Sequence, residues 1–131
     1  MSVAVRVVRL GSPRAKNEGL RLGTVRRPPR GVPKAEFAPR DFYDVWLPDL
    51  APSEALVSQA RRASSEREWN AFVRKYRAEM KRPEAVRLLA LLAALSHDTS
   101  FSVGCYCENE SRCHRSVLRA LLAEHGASME T

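Results

Sequence analysis

An α/β fold, built as a single layered domain with a small, mostly parallel sheet flanked by helices, is what this sequence predicts. Three observations carry the prediction. The chain opens on a β-branched, nearly alternating stretch between Val3 and Leu10; a long helical middle runs from Glu54 to Leu95; and an apolar run, Phe101 to Cys107, gives way to an amphipathic pattern, Ser116 to His125. Strand, helices, strand and helix in that order make a layered domain in which helices cover the sheet. A chain of 131 residues is about one domain and buries roughly two-thirds of its unfolded surface, so residues 1–131 are predicted as one unit.

Val3, Val5 and Val7, with Arg6 and Arg9 beside them, predict an opening strand over Val3 to Leu10. Gly11 to Gly19 has several breakers and no apolar period, which reads as a loop, and a short strand is predicted from Leu20 to Val25. Next comes a basic, proline-rich loop over about residues 26–40. Pro28, Pro29, Pro33 and Pro39 forbid helix and withhold ladder donors. Asp41 to Leu50 holds much of the aromatic content and is predicted as a strand or an extended packing segment that Pro48 limits. Ser53 caps a short helix, Glu54 to Arg62. Ser65 and Glu68 then have capping-box spacing, and Trp69, Phe72, Val73, Tyr76 and Met80 recur at helical intervals. Pro83 suits the first turn of a further helix whose leucines run almost all round it, predicting burial on two sides. Phe101 to Cys107 is apolar on both faces, as a central strand is. Val117, Leu118, Leu121 and Leu122 form the last amphipathic helix, which Gly126 stops.

Composition narrows the function classes. Hydrophobic residues at 44% and charged residues at 28% exclude the disordered class. The longest apolar run, Leu88 to Leu95, is too short for a membrane-spanning helix, and Met1 to Arg6 lacks the features of a signal peptide, so a cytoplasmic protein is expected. The net charge of +7 is unevenly placed. Residues 1–40 carry ten Lys or Arg against two Glu, or +8, and residues 41–131 carry twelve against thirteen acids, or −1. Nucleic acid is therefore a candidate partner for residues 1–40, alongside an anionic small molecule or nucleotide.

The chemistry concentrates in residues 105–115, which hold all three cysteines, His114, Arg112 and Arg115. An odd number of thiols in a reducing compartment argues for free sulfur or a metal rather than a disulfide framework. Strand geometry puts Cys105 and Cys107 on one face, roughly 7 Å apart along a straight strand. Cys113 and His114 open the final helix, where backbone N–H groups favour an anion and lower a thiol's pKa. Three readings follow. In the first, the cysteines are simply packing and the helix start is solvated surface. In the second, Cys107, Cys113, His114 and Arg115 converge on an anionic substrate: Cys113 is the reactive thiolate, His114 a proton carrier, Arg115 the anion clamp, and Cys107 with Glu108 their partners, Glu108 being the better placed of the loop acids for general base work. In the third, Cys105, Cys107, Cys113 and His114 hold zinc, against which stands the difficulty of aiming two adjacent ligands at one ion. Cys113 to Arg119 also has a cysteine and an arginine at the spacing of cysteinyl-phosphate phosphatases, without the glycine-assisted amide cradle such a loop needs. Arg26 and Arg30 of the basic loop, with Arg112, are the candidate ligand-binding cations if that loop folds over the junction.

At these residues the chain resembles the family called domain of unknown function 488, including its YeaO-like branch. The likeness rests on Arg26-Arg27-Pro28-Pro29-Arg30-Gly31, on Tyr43 to Ser53 with its tryptophan and alanine-proline-serine stretch, and on Cys107-Glu108 with Cys113-His114-Arg115. The resemblance implies an α/β domain with a shared site at Cys107, Glu108, Cys113, His114 and Arg115. Two departures stand out: Arg27-Pro28 replaces the leucine-tryptophan pair usual in that branch, and Cys105 replaces an aliphatic residue.

Overall fold

The β-branched opening forms β1 over Val5–Arg9, shorter at both ends than the alternation predicts. It belongs to a four-stranded sheet in the order β1-β4-β2-β3, with β2 at Leu20–Gly23, β3 at Val45–Trp46 and β4 at Phe101–Cys105. Every pairing is parallel, so the sheet exceeds the mostly parallel expectation. The computed structural model describes residues 3–130; residues 1, 2 and 131 of the expected unit lie outside the described residues.

β4 enters the sheet last yet occupies its middle. It pairs Phe101 with Val5 on one side and with Leu20 on the other. Its five residues are all buried, as expected of a strand covered on both faces. Only two residues of the aromatic segment 41–50 join the sheet; Pro48 turns the chain into a short 3-10 turn, Pro48–Leu50, because proline cannot extend the ladder. Parallel strands share a carboxyl edge, so the ends of β1, β2 and β4 open onto a common rim.

Four helices supply the layer against one face: α1 (Glu54–Arg62), α2 (Glu66–Glu79), α3 (Pro83–Leu95) and α4 (His114–Glu124). Both predicted caps form. Ser53 Oγ accepts from Leu56 N at 3.4 Å, and Ser65 Oγ accepts from Glu68 N at 3.1 Å while donating to Glu68 Oε1. The Trp69, Phe72 and Tyr76 stripe is buried against Leu89, Leu118 and Leu122 and the strand residues Val5, Phe101 and Val103. Tyr76 donates its hydroxyl to Leu50 O at 2.5 Å inside this core. Tyr76→Phe is expected to destabilise the protein by about 1–2 kcal/mol, because the buried carbonyl loses its partner; urea denaturation checks this. α3 corrects the expectation of burial on two sides. It buries Ala85, Leu89, Leu92 and Ala93 but exposes Val86, Leu91 and Leu95.

A second apolar cluster of Leu10, Val25, Tyr43, Cys105 and Cys113 is completed by Val8, Phe37, Phe42 and Tyr106, drawn from strands, strand ends and the segment between β2 and β3. Gly23 permits it, since a Cβ there would lie 2.3 Å from the Tyr43 ring. Beside it runs a buried ionic network. Arg21, fully buried, donates to both Glu18 carboxylate oxygens at 2.8 and 3.0 Å and to the carbonyls of Ser12 and Asp41 at 2.7 Å each; Ser102 Oγ donates to Glu18 at 2.7 Å.

Candidate functional site

The strand predicted through Cys107 stops at Cys105, whose carbonyl accepts from Leu10 N at 2.8 Å. Beyond it the chain bends, and Arg115 Nη2 donates to Cys107 O at 2.6 Å, fixing the turn. The bend shortens the separation expected along a straight strand: the Cys105 and Cys107 sulfurs lie 3.7 Å apart. A 3-10 turn, Glu110–Arg112, then delivers Cys113 in extended conformation (φ −128°, ψ 151°) as the residue preceding α4.

That conformation resolves the adjacency problem. Cys113 is extended and His114 is the first helical residue, so consecutive side chains turn to the same side. Cys113 Sγ lies 3.9 Å from His114 Nδ1, and one ligand atom from each of Cys105, Cys113 and His114 falls within 4.8 Å of the others, all three residues being buried. The other imidazole nitrogen, Nε2, sits 2.7 Å from the Thr24 carbonyl. A carbonyl only accepts, so Nε2 carries the hydrogen and Nδ1 presents its lone pair to the sulfurs. Burial lowers the His114 pKa to about 4 against the opposing pull of the Thr24 bond, leaving the ring neutral near pH 7. A neutral, buried imidazole at the edge of the cleft suits ligation better than the proton-carrier role expected of it.

The sulfurs differ in their acidity. Hydrogen bonds from Cys105 and Cys113 hold Cys107 well below the usual thiol range, with Arg115 adding to the effect. Cys105 is pushed up by donating to Cys107 and by its contact with Cys113, with burial adding to both. For Cys113, the bond with Cys105 favours ionisation, but donation to Cys107 and burial outweigh it and its pKa rises. Negative charge in the cluster therefore collects on Cys107, the exposed cysteine, rather than on Cys113.

Above these groups lies a cleft of about 550 Å³, within the range of small-molecule sites. Cys105, Cys107, Cys113 and His114 form part of its lining; Val25, Pro28, Val57 and Phe72 give it apolar wall; and Arg26, Arg27, Arg30, Arg61 and Arg112 supply cations. The basic loop is tied down over the junction. Tyr106, whose ring meets Phe42 edge-on, donates its hydroxyl to Arg27 O at 2.9 Å. Arg26 donates to the carbonyls of Pro48, Ala51 and Pro52 at 3.0–3.2 Å, which makes it a strut that holds the loop more than a free cation.

The remaining candidates divide. Arg30 and Arg112 line the cleft as expected; Arg112 also pairs with Glu66 at 3.0 Å and lies over the Trp69 ring. Arg115 is buried and holds the Cys107 carbonyl, so it positions the loop instead of clamping an anion directly. Glu108 is not brought in: its side chain is 83% exposed and faces Arg9 at 3.7 Å. Arg119, the arginine of the phosphatase-like spacing, forks onto Glu110 at 2.7 and 3.0 Å and leaves no phosphate cradle. Residues that sequence reasoning missed are Arg27, Arg61 and Tyr106; Cys105, named only in the zinc reading, joins the cluster. Arg61 carried no usable signal, because a basic residue in a helix's last turn is ordinary. Of the cations in residues 1–40, Arg21 and Arg40 pair with Glu18 and Glu36, already counted in the +8, and Arg6, Arg9, Arg14 and Arg27 pair with acids beyond residue 40, which offsets four of the eight charges.

No helix among the described residues is long and apolar enough to cross a membrane. Residues 5–126 match the family model DUF488-N3a, described as the active DUF488-N3 subclade. No match was found among curated proteins or among solved structures.

Proposed function

The chain belongs to the DUF488 family, and from that premise we propose that it binds a phosphate-bearing small molecule of nucleotide size in the arginine-rimmed cleft. One observation carries the reading: the basic loop and the Cys-His junction, far apart in sequence, line the same cavity. Arg30 and Arg61 are the principal anion contacts, since no ion pair engages either among the described residues. Arg112 joins them, because an exposed pair such as Arg112–Glu66 is worth little and yields to a stronger anion. The apolar wall accepts the ligand's body, and the Cys107 sulfur meets it at the floor. Because Arg30, Arg61 and Arg112 line one cleft of about 550 Å³, a small anion fits them better than an extended nucleic acid does.

Calorimetric titration with a nucleoside monophosphate tests the reading, using the uncharged nucleoside and a short single-stranded oligonucleotide as controls. Arg30→Ala and Arg112→Ala should each weaken nucleotide binding about tenfold, as loss of a charge-assisted hydrogen bond does. Absence of binding by the wild-type protein, equal binding of the uncharged nucleoside, or binding of the oligonucleotide alone overturns it.

A further inference from the structure

The geometry points to the floor of the cleft as a tetrahedral site for a thiophilic cation, zinc(II) in the divalent class, held by Cys105, Cys107, Cys113 and His114. The inference is distinct from the anion reading, because it uses none of the arginines on the rim of the cleft and shares only Cys107 with it.

Four observations carry it. First, three ligand atoms from three buried residues already lie within 4.8 Å of one another. Second, the Cys105 and Cys107 sulfurs are 3.7 Å apart, and two sulfurs on a tetrahedron with zinc–sulfur bonds of about 2.3 Å are separated by about 3.8 Å. Third, the Nε2–H of His114 is committed to Thr24 O at 2.7 Å, which aims the Nδ1 lone pair at Cys113; ligating histidines are oriented in this way. Fourth, the cluster contains sulfur and imidazole but no carboxylate, a donor set that selects zinc over magnesium or calcium. Three of the ligands are prearranged, since Cys105 ends the central strand and Cys113 and His114 stand at the start of α4, while Cys107 comes from the turn just beyond the strand.

Charge balance is favourable. On binding, any of the three sulfurs that still carries a proton gives it to solvent, and three thiolates with one neutral imidazole around zinc(II) leave a single negative charge. The amino end of α4 and the buried Arg115 offset it. Cys107 is the replaceable ligand: it is exposed, faces the cleft and lies on a turn rather than in the ladder.

Cobalt(II) titration of the full chain, kept reduced with a phosphine, is the test. One equivalent should give the strong visible bands of tetrahedral cobalt with thiolate charge transfer in the near ultraviolet, and zinc should displace it. Cys105→Val, which keeps an apolar β-former in the strand, should weaken binding by more than the 10–100-fold typical of outer-shell changes. Cys107→Ser should weaken it about tenfold and shift the charge-transfer band. Arg30→Ala should leave the spectrum unchanged. Cys107→Ser leaves the core untouched, so it remains informative if Cys105→Val fails to fold. Octahedral cobalt in the wild type, or a spectrum that both cysteine substitutions leave intact, overturns the site. Nucleotide binding is measured on the same samples, so failure of metal binding with nucleotide binding retained sinks this inference alone, and the converse sinks only the anion reading.

Discussion

Glu18→Ala is expected to lower the stability of this protein by about 3–5 kcal/mol, because it leaves the Arg21 guanidinium buried without its counter-charge. Arg21 is inaccessible to solvent and cannot relax into water. Two of its contacts are the bidentate bonds to Glu18, and the carbonyls of Ser12 and Asp41 cannot replace a negative charge. The loss should appear in urea denaturation followed by tryptophan fluorescence; a change below about 1 kcal/mol would show that the pair contributes no more than a surface bridge does. A pH arm goes with it. Burial works against ionisation of Glu18, but hydrogen bonds from Arg21, Ser102 and the Ala15 amide overcome it and hold the carboxyl near 2 instead of 4.5. A carboxyl acidified by folding stabilises the native state above its unfolded pKa, and that contribution fades as pH falls from about 4.5 toward 2. Glu18→Gln should therefore be less stable than wild type at neutral pH and show a shallower loss across that acid window.

Gly19→Ala, one residue further on, is expected to cost about 2–5 kcal/mol. The left-handed backbone (φ +82°) accounts for about 1–2 of this in a residue with a side chain. The remaining 1–3 or so comes from steric displacement, since the new Cβ would lie 1.9 Å from the Ser100 carbonyl oxygen, a backbone atom that cannot swing aside. Gly31→Ala provides the control. It shares the positive φ, at +75°, but meets nothing within 4 Å, so only the conformational cost should appear. Thermal and urea unfolding of the two variants compare them directly; equal losses would mean that the contact with Ser100 relaxes freely.

The legible parts of the fold were those with local causes. Ser65 and Glu68 announce the start of α2, and the Trp69, Phe72 and Tyr76 spacing announces its buried face. The β-branched opening and the apolar run ending in cysteine mark β1 and β4. The strand order was not legible, because placing β4 between β1 and β2 depends on pairings such as Val5 with Phe101, nearly a hundred residues apart. The exposure of Leu91 and Leu95 was equally hidden, since composition does not say which side of a leucine-rich helix lacks a neighbour.

At the site, the clustering of sulfur, imidazole and arginine was visible, but the division of labour was not. Alternation put Cys105 and Cys107 on one face but the rise of a straight strand kept them roughly 7 Å apart, until the turn after Cys105 brought them together. Adjacency made Cys113 and His114 look incompatible, because it assumed that both were helical. Arg115 looked like an anion clamp because its burial beneath Cys107 depends on the same turn. Glu108 follows Cys107 directly, yet on an exposed turn neighbouring side chains diverge, and it faces Arg9.

The central place of β4 has a consequence for how the sulfurs meet solvent. Cys105 is paired with Arg9 in the ladder, on a strand flanked by partners on both sides, so its backbone moves only when the sheet itself comes apart, although its thiol borders the cleft. Cys107 lies past the last rung, where fraying of a single turn is enough. Two thiols 3.7 Å apart thus ride on backbone segments that open differently, one with the global folding free energy and the other with a local one. A reagent in solution meets the exposed Cys107 freely, while the nearly buried Cys105 is held in a fixed place at the base of the cleft.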